Sequence, residues 1–83
     1  MITVTEFNVE HEMKVSIHPD SPFYGQQGDS KYGYVDLDYG CEQGWVRVQW
    51  DQYEDSYRIG NLGMFDLIKY NPKTYKNLTV QWK

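Results

Sequence analysis

One cysteine, Cys41, excludes an intramolecular disulfide, and with only two histidines, His11 and His18, the chain lacks a structural zinc set. Nothing next to Cys41 favours a thiolate: the histidines lie far upstream, and Glu42 beside it would raise the thiol pKa. Cys41 therefore reads as a turn residue of an intracellular protein. No apolar run approaches the ~20 residues of a membrane span. The start, "MITVTEFNVEHE", has neither a basic region nor an apolar stretch, which excludes a signal peptide. The expectation is a soluble, cytoplasmic protein with no membrane contact. Positive charge is also sparse: eight Lys and Arg stand against twelve Asp and Glu, a net charge of −4. Only Lys69, Lys73, Lys76 and Lys83 are loosely gathered, and a grip on phosphates needs clustered cations, so nucleic acid is not the expected partner. The acids are in turn too few to imitate a phosphate backbone.

What is abundant is aromatic side chain, 17% of 83 residues. A chain this short is a single domain, 1–83, and each ring buries a large area for few residues. The helix period is almost absent, whereas alternation recurs. "MKVSIH" sets Met13, Val15 and Ile17 against Lys14, Ser16 and His18. "YVDLDY" sets Val35, Leu37 and Tyr39 inward, and "WVRVQW" does the same with Val46, Val48 and Trp50. "SYRI", "FDLIKY" and "LTVQW" give further short strands, and "ITVTEF" could add another. Pro19, Pro22 and three glycines mark "HPDSPFYGQQGDSKYG" as a long loop, while "YGCEQG" and "DQYED" are short enough for hairpins. Five or six short antiparallel strands in so small a chain predict a closed or nearly closed all-β barrel.

The first hairpin can be registered from its faces. If Asp38 lies opposite Trp45, Asp36 faces Arg47 and Tyr34 faces Gln49, all outward. A slip of one residue would bury Asp36 and Asp38, so the alternation resists it.

The stretch "GWVRVQWDQYEDSYRIGNLGMFDLIKY", Gly44 to Tyr70, resembles the second half of the MIB/HERC2 domain of the mind bomb and HERC2 ubiquitin ligases. That family's V-x-V-x-W-D strand is met by Val46, Val48, Trp50 and Asp51, and its S-Y-R-x-G strand by Ser56, Tyr57, Arg58 and Gly60. Its G-x-x-x-D-L ending is met by Gly63, Asp66 and Leu67. Upstream, Phe23 and Tyr24 stand where the family carries tryptophan, and Gly33 with Val35 keep its strand start. The resemblance covers about residues 13–70, leaving 1–12 and 71–83 as extensions that would add strands. It implies an SH3-like barrel and a protein-interaction module that recognises a peptide segment. Ligase activity is not implied, because the catalytic and zinc-binding modules of those proteins lie outside the match.

These readings converge on a non-catalytic domain that binds a protein or peptide partner through an aromatic surface. Trp45 is the leading ligand candidate, since alternation turns it outward. Phe23, Tyr24, Tyr34 and Tyr53 could complete an aromatic groove for an extended peptide. Arg58 could clamp a carboxylate, or could instead tie its strand to Asp66 or Asp51. Asp36, Asp38, Glu54 and Asp55 suggest a ligand with some positive charge, and an Asp36–Arg47 pair would cross the hairpin. Trp50, Val48, Tyr57 and Ile59 read as core. Paired carboxylates on an open sheet face have nothing to separate their pKa values, and "GQQGDS" lacks the lysine of a phosphate-binding loop, so neither an enzyme nor a cofactor or metal site is expected. The alternatives are a free-standing inhibitor or adaptor beginning at Met1, whose termini carry the action, a cage for a methylated lysine or arginine, and a homo-oligomer paired through "NLTVQW".

Overall fold

Alternating apolar and polar side chains leave the backbone one way to bury a face and satisfy its amides, which is to pair as strands. A computed structural model describes residues 2–38, 43–59 and 65–72, and every element in them is a strand. They are β1 (Lys14–Ile17), β2 (Gly33–Asp36), β3 (Trp45–Gln49), β4 (Glu54–Arg58) and β5 (Leu67–Lys69). The sheet runs β4-β3-β2-β1-β5, with every neighbouring pair antiparallel. The chain thus meanders from β1 to β4 and crosses over to lay β5 on the far side of β1. That crossing brings the two ends of the sheet together: Ile59 bridges Phe65, and the Asp66 amide donates to the Arg58 carbonyl at 3.1 Å. The result is the small all-β, barrel-like fold that the strand count and the turns call for.

The first hairpin has the register that its faces require: Tyr34 lies opposite Gln49, Val35 opposite Val48 and Asp36 opposite Arg47. The segment "ITVTEF" contributes less than a full strand. Thr3 bridges Ile68, the Val4 amide donates to the Leu67 carbonyl and the Lys69 amide to the Ile2 carbonyl, each at 2.8 Å. This short pairing covers the outer edge of β5, which would otherwise offer free amides to another chain. The strand expected at "LTVQW" lies outside the described residues, as do residues 60–64. No helix among the described residues is long and apolar enough to cross a membrane.

The core sits inside the curl and is formed by the alternating set. Val15, Ile17, Val35, Val46, Val48, Trp50, Tyr57, Ile59 and Leu67 are buried, joined by Val4. Leu37, expected inward, is instead 45% exposed. The strand ends at Asp36, and the Leu37 amide donates to His11 Nδ1 at 3.1 Å, so the ladder that would have turned Leu37 inward has already stopped. Trp50 and Tyr57 meet edge to face at 5.8 Å between ring centroids, and the indole N–H donates to the Tyr57 hydroxyl at 2.7 Å. Burial raises the Tyr57 phenol pKa, and the donation from Trp50 only partly offsets it, so the ring stays neutral. Gly33 is where the β2 backbone runs against Trp50, with room for no side chain.

The loop from His18 to Tyr32 is long but held throughout. Successive turns close it: the Ser21 amide donates to His18, Tyr24 to Ser21, Gln26 to Phe23, Gly28 to Gly25 and Ser30 to Gln27. Gly25 and Gly28 take φ of 109° and 60°, where a side chain would be strained. The Gln27 amide group pins the loop to the barrel, accepting from the Ile17 amide at 3.0 Å and donating to the Ser30 and Lys31 carbonyls.

Candidate functional site

Two features of the sequence meet at one end of the barrel. The loop carrying Gln26 to Lys31 folds back over the tight turn that joins β3 to β4, itself closed by donation from the Trp50 amide to the Tyr53 carbonyl at 2.8 Å. Tyr53 ties the two together, its hydroxyl donating to the Gln26 carbonyl. Between loop and turn lie two cavities. The smaller, about 280 Å³, is lined by Gln26, Gln27, Gly28, Gln52, Tyr53 and a shared set, Asp29, Ser30, Trp50 and Asp51. The larger, about 590 Å³, has the same shared set with Lys31, Tyr32, Tyr34 and Gln49. They form one open groove with Asp29 and Asp51 at its middle and tyrosines toward both ends.

The groove is firm underneath. Trp50 is 3% exposed and fixed by Tyr57, whose hydroxyl in turn donates to Gln26 Oε1 at 3.1 Å. Floor and loop are therefore connected by one chain of hydrogen bonds. At the wider end Tyr32 and Tyr34 stand perpendicular, 5.4 Å between centroids, and Tyr70 packs on Tyr32 at 4.8 Å. Lys14 Nζ lies 4.7 Å over the Tyr32 ring, a cation–π placement. A hydrogen bond between the two hydroxyls lowers the Tyr32 pKa, with the Lys14 charge adding to it, and raises that of Tyr34.

Of the candidates singled out from the sequence, Tyr34 and Tyr53 line this groove, 44% and 40% exposed respectively. Trp45 is half-buried and lines neither cavity. Phe23 and Tyr24 pack against the core rather than standing free; Phe23 meets the Tyr57 ring edge to face at 5.9 Å. Asp36 and Arg47 lie opposite each other as expected, but the Arg47 guanidinium reaches Glu54 on the other neighbouring strand, at 2.8 Å. That hydrogen bond lowers the Glu54 pKa.

Arg58 is engaged within the fold. Its Nε donates to Asp66 Oδ2 at 2.7 Å and its second terminal nitrogen to Oδ1 at 2.8 Å, the bidentate geometry of a guanidinium–carboxylate fork. The Arg58 amide donates to Oδ2 as well, and the Ser21 hydroxyl to Oδ1 at 2.9 Å. Asp66 is 1% exposed, and burial alone would raise its pKa; the donors from Arg58 and Ser21 outweigh this and hold it below the usual carboxylate range. The Arg58 pKa is raised by the same bond. This cluster ties β4, the start of β5 and the long loop at one corner. Of the two partners open to Arg58 in the sequence, the structure selects Asp66.

Most of the groove lay outside the sequence candidates, including Asp29, Tyr32 and Asp51 along its walls and Lys14 and Tyr70 packed on Tyr32. Tyr32 and Tyr34 share a side because they are two residues apart, a signal the sequence does carry in "YGY". Tyr70 joins them only because its amide donates to the Lys14 carbonyl across the β1–β5 pair.

The fold also gathers His11, Asp36 and Asp38, with ligand atoms within 4.8 Å of one another. The hydrogen bonds decide against a metal here. His11 Nδ1 accepts from the Leu37 amide, so the neutral ring carries its proton on Nε2, the atom 3.4 Å from Asp38 Oδ2. A metal would need the lone pair that this proton occupies. The three residues instead cap the end of β2.

Comparison with protein-family models, with curated proteins and with solved structures found no match. The likeness to MIB/HERC2 domains rests on the residues quoted for it.

Proposed function

We propose that this chain is a non-catalytic interaction module that binds a peptide or protein segment in the groove between the 26–31 loop and the 50–53 turn. The observation that carries this reading is the continuity of the two cavities through Asp29, Ser30, Trp50 and Asp51, with exposed tyrosine rings at both ends. A groove whose floor and rim are already hydrogen-bonded in place loses little order on binding, which favours affinity. The resemblance to MIB/HERC2 domains supports the same function class. Asp38 is exposed and Asp36 only half-buried, and neither sits in an enclosed pocket of the kind that sets carboxylate pKa values apart for general acid–base work. The lone cysteine suits a cytoplasmic setting.

Selection of a random dodecapeptide library on the immobilised protein tests this. Peptides should be retained by the wild type and by Trp45→Ala, and lost with Tyr34→Ala while its thermal unfolding stays unchanged. Retention of no sequence above background would refute the reading.

One observation favours a second reading, the free-standing inhibitor or adaptor. Phe7 is 91% exposed at the tip of a turn fixed by Thr5 and Asn8: the Thr5 amide donates to Asn8 Oδ1, the Phe7 amide to Thr5 Oγ1, and the Asn8 side chain to the Thr3 carbonyl. A ring held out this way suits an apolar pocket on a larger protein. Binding of a protein partner that Phe7→Ala abolishes and Tyr34→Ala leaves intact would assign the action to this turn.

A further inference from the structure

From the arrangement of charge in the groove, and resting on the peptide-binding reading above, we infer that the occupant is an extended segment anchored by a cationic side chain, lysine or arginine, seated between Asp29 and Asp51 against the Tyr34 ring. Three independent features converge. The first is charge left over. Among the described residues Arg47 pairs with Glu54 and Arg58 with Asp66, whereas Asp29 and Asp51 have no ion-pair partner and both are exposed. They are also the two carboxylates that line both cavities, so whatever crosses from one cavity to the other passes them.

The second is the aromatic wall. Tyr32 and Tyr34 meet at 89°, a corner of two ring faces, and Lys14 already sits over Tyr32. This surface holds a cation of the protein's own, and the half-exposed Tyr34 ring beside it offers the same interaction to an incoming one. The Asp51 charge reaches this corner, since it opposes ionisation of the Tyr32 phenol. The third is polarity at the narrow end. Gln26, Gln27, Ser30 and Gln52 line it with polar rather than apolar side chains, which suits peptide backbone better than a hydrophobic anchor. Lys31 lines only the wider cavity, so the narrow end carries carboxylates and no cation.

Each exposed contact is modest. A screened carboxylate and an exposed cation–π placement are each a factor of roughly 2–5, so the full socket amounts to about tenfold in affinity. The test uses peptides selected from the dodecapeptide library, resynthesised with fluorescein and measured by anisotropy. Selected sequences should be enriched in Lys or Arg. Replacing that residue by norleucine or citrulline should weaken binding about tenfold. The Asp29→Asn/Asp51→Asn double variant leaves the ring contact in place and should weaken the parent peptide about fivefold, and affinity should fall between 50 and 300 mM salt, on the order of the screening expected for exposed charges. Trimethyl-lysine keeps the charge and should bind at least as well as lysine; a tenfold loss would overturn the placement against the rings. Peptides without basic enrichment, bound equally by the double variant but lost with Tyr34→Ala, would overturn the inference and leave the groove standing. Retention of no peptide would bring down both.

Discussion

Replacing Asp66 by Asn changes almost no volume but reverses the chemistry of one oxygen. The carboxylate accepts four hydrogen bonds: from Arg58 Nε and the Arg58 amide on Oδ2, and from the second Arg58 nitrogen and the Ser21 hydroxyl on Oδ1. Asn retains one oxygen, and its NH2 then faces two donors. Hydrogen bonds to a charged group contribute ~1.5–3 kcal/mol each, and removing one partner of a buried pair costs ~3–5 kcal/mol. Arg58 remains a fifth exposed, so water recovers part of its hydration, which brings the expected loss to about 3 kcal/mol. At roughly 1 kcal/mol per molar urea for a chain of this size, the midpoint should fall by about 3 M. Urea unfolding followed by tryptophan fluorescence reads this directly, with near-ultraviolet circular dichroism as a second probe of two-state behaviour. A double-mutant cycle with Arg58→Met isolates the pair, with an expected coupling above ~1 kcal/mol. A loss below ~1 kcal/mol for Asp66→Asn would refute the argument that this corner holds β4, β5 and the long loop together.

Other consequences follow from the same contacts. Because the folded pKa of Asp66 is depressed, its contribution is complete above the unfolded carboxylate value of ~3.9 and is lost as pH falls through the folded value. The gap in urea midpoint between wild type and Asp66→Asn should therefore be constant from pH 7 to 5 and narrow below about pH 4; a gap unchanged at pH 2.5 would contradict it. Gly33→Ala would place a Cβ 2.5 Å from Trp50 Cε3 and 2.7 Å from Val48 Cγ1, and should cost ~1–3 kcal/mol in thermal unfolding, the range for overpacking a core. Trp50→Phe removes the donor to the Tyr57 hydroxyl and leaves a void, and should destabilise by about 2 kcal/mol or more. It should also shift the amide resonances of Gln26 and Gln27, which an effect confined to the core would leave in place.

Whatever rests on side-chain period and local turn chemistry is legible in the order of the residues. Alternation in "WVRVQW" placed Val46, Val48 and Trp50 inside, and it resisted the one-residue slip of the β2–β3 register that would turn Asp36 inward. That determinacy ends where the ladder ends: Leu37 continues the pattern on paper, but a ring nitrogen of His11, far back in the chain, takes its amide. The choice of Asp66 over Asp51 for Arg58 was likewise open until β5 crossed the sheet. The groove belongs wholly to the tertiary level. Asp29 and Asp51 sit in different turns, and Tyr32 and Tyr70 flank β2 and β5, which meet only through their pairings with β1. No local propensity records such distances, because loop closure costs nearly the same for many partners and the packed barrel alone selects among them. Trp45 shows the converse. Alternation turns it outward, but only the fold decides which outward rings border an opening and which lie against the wall.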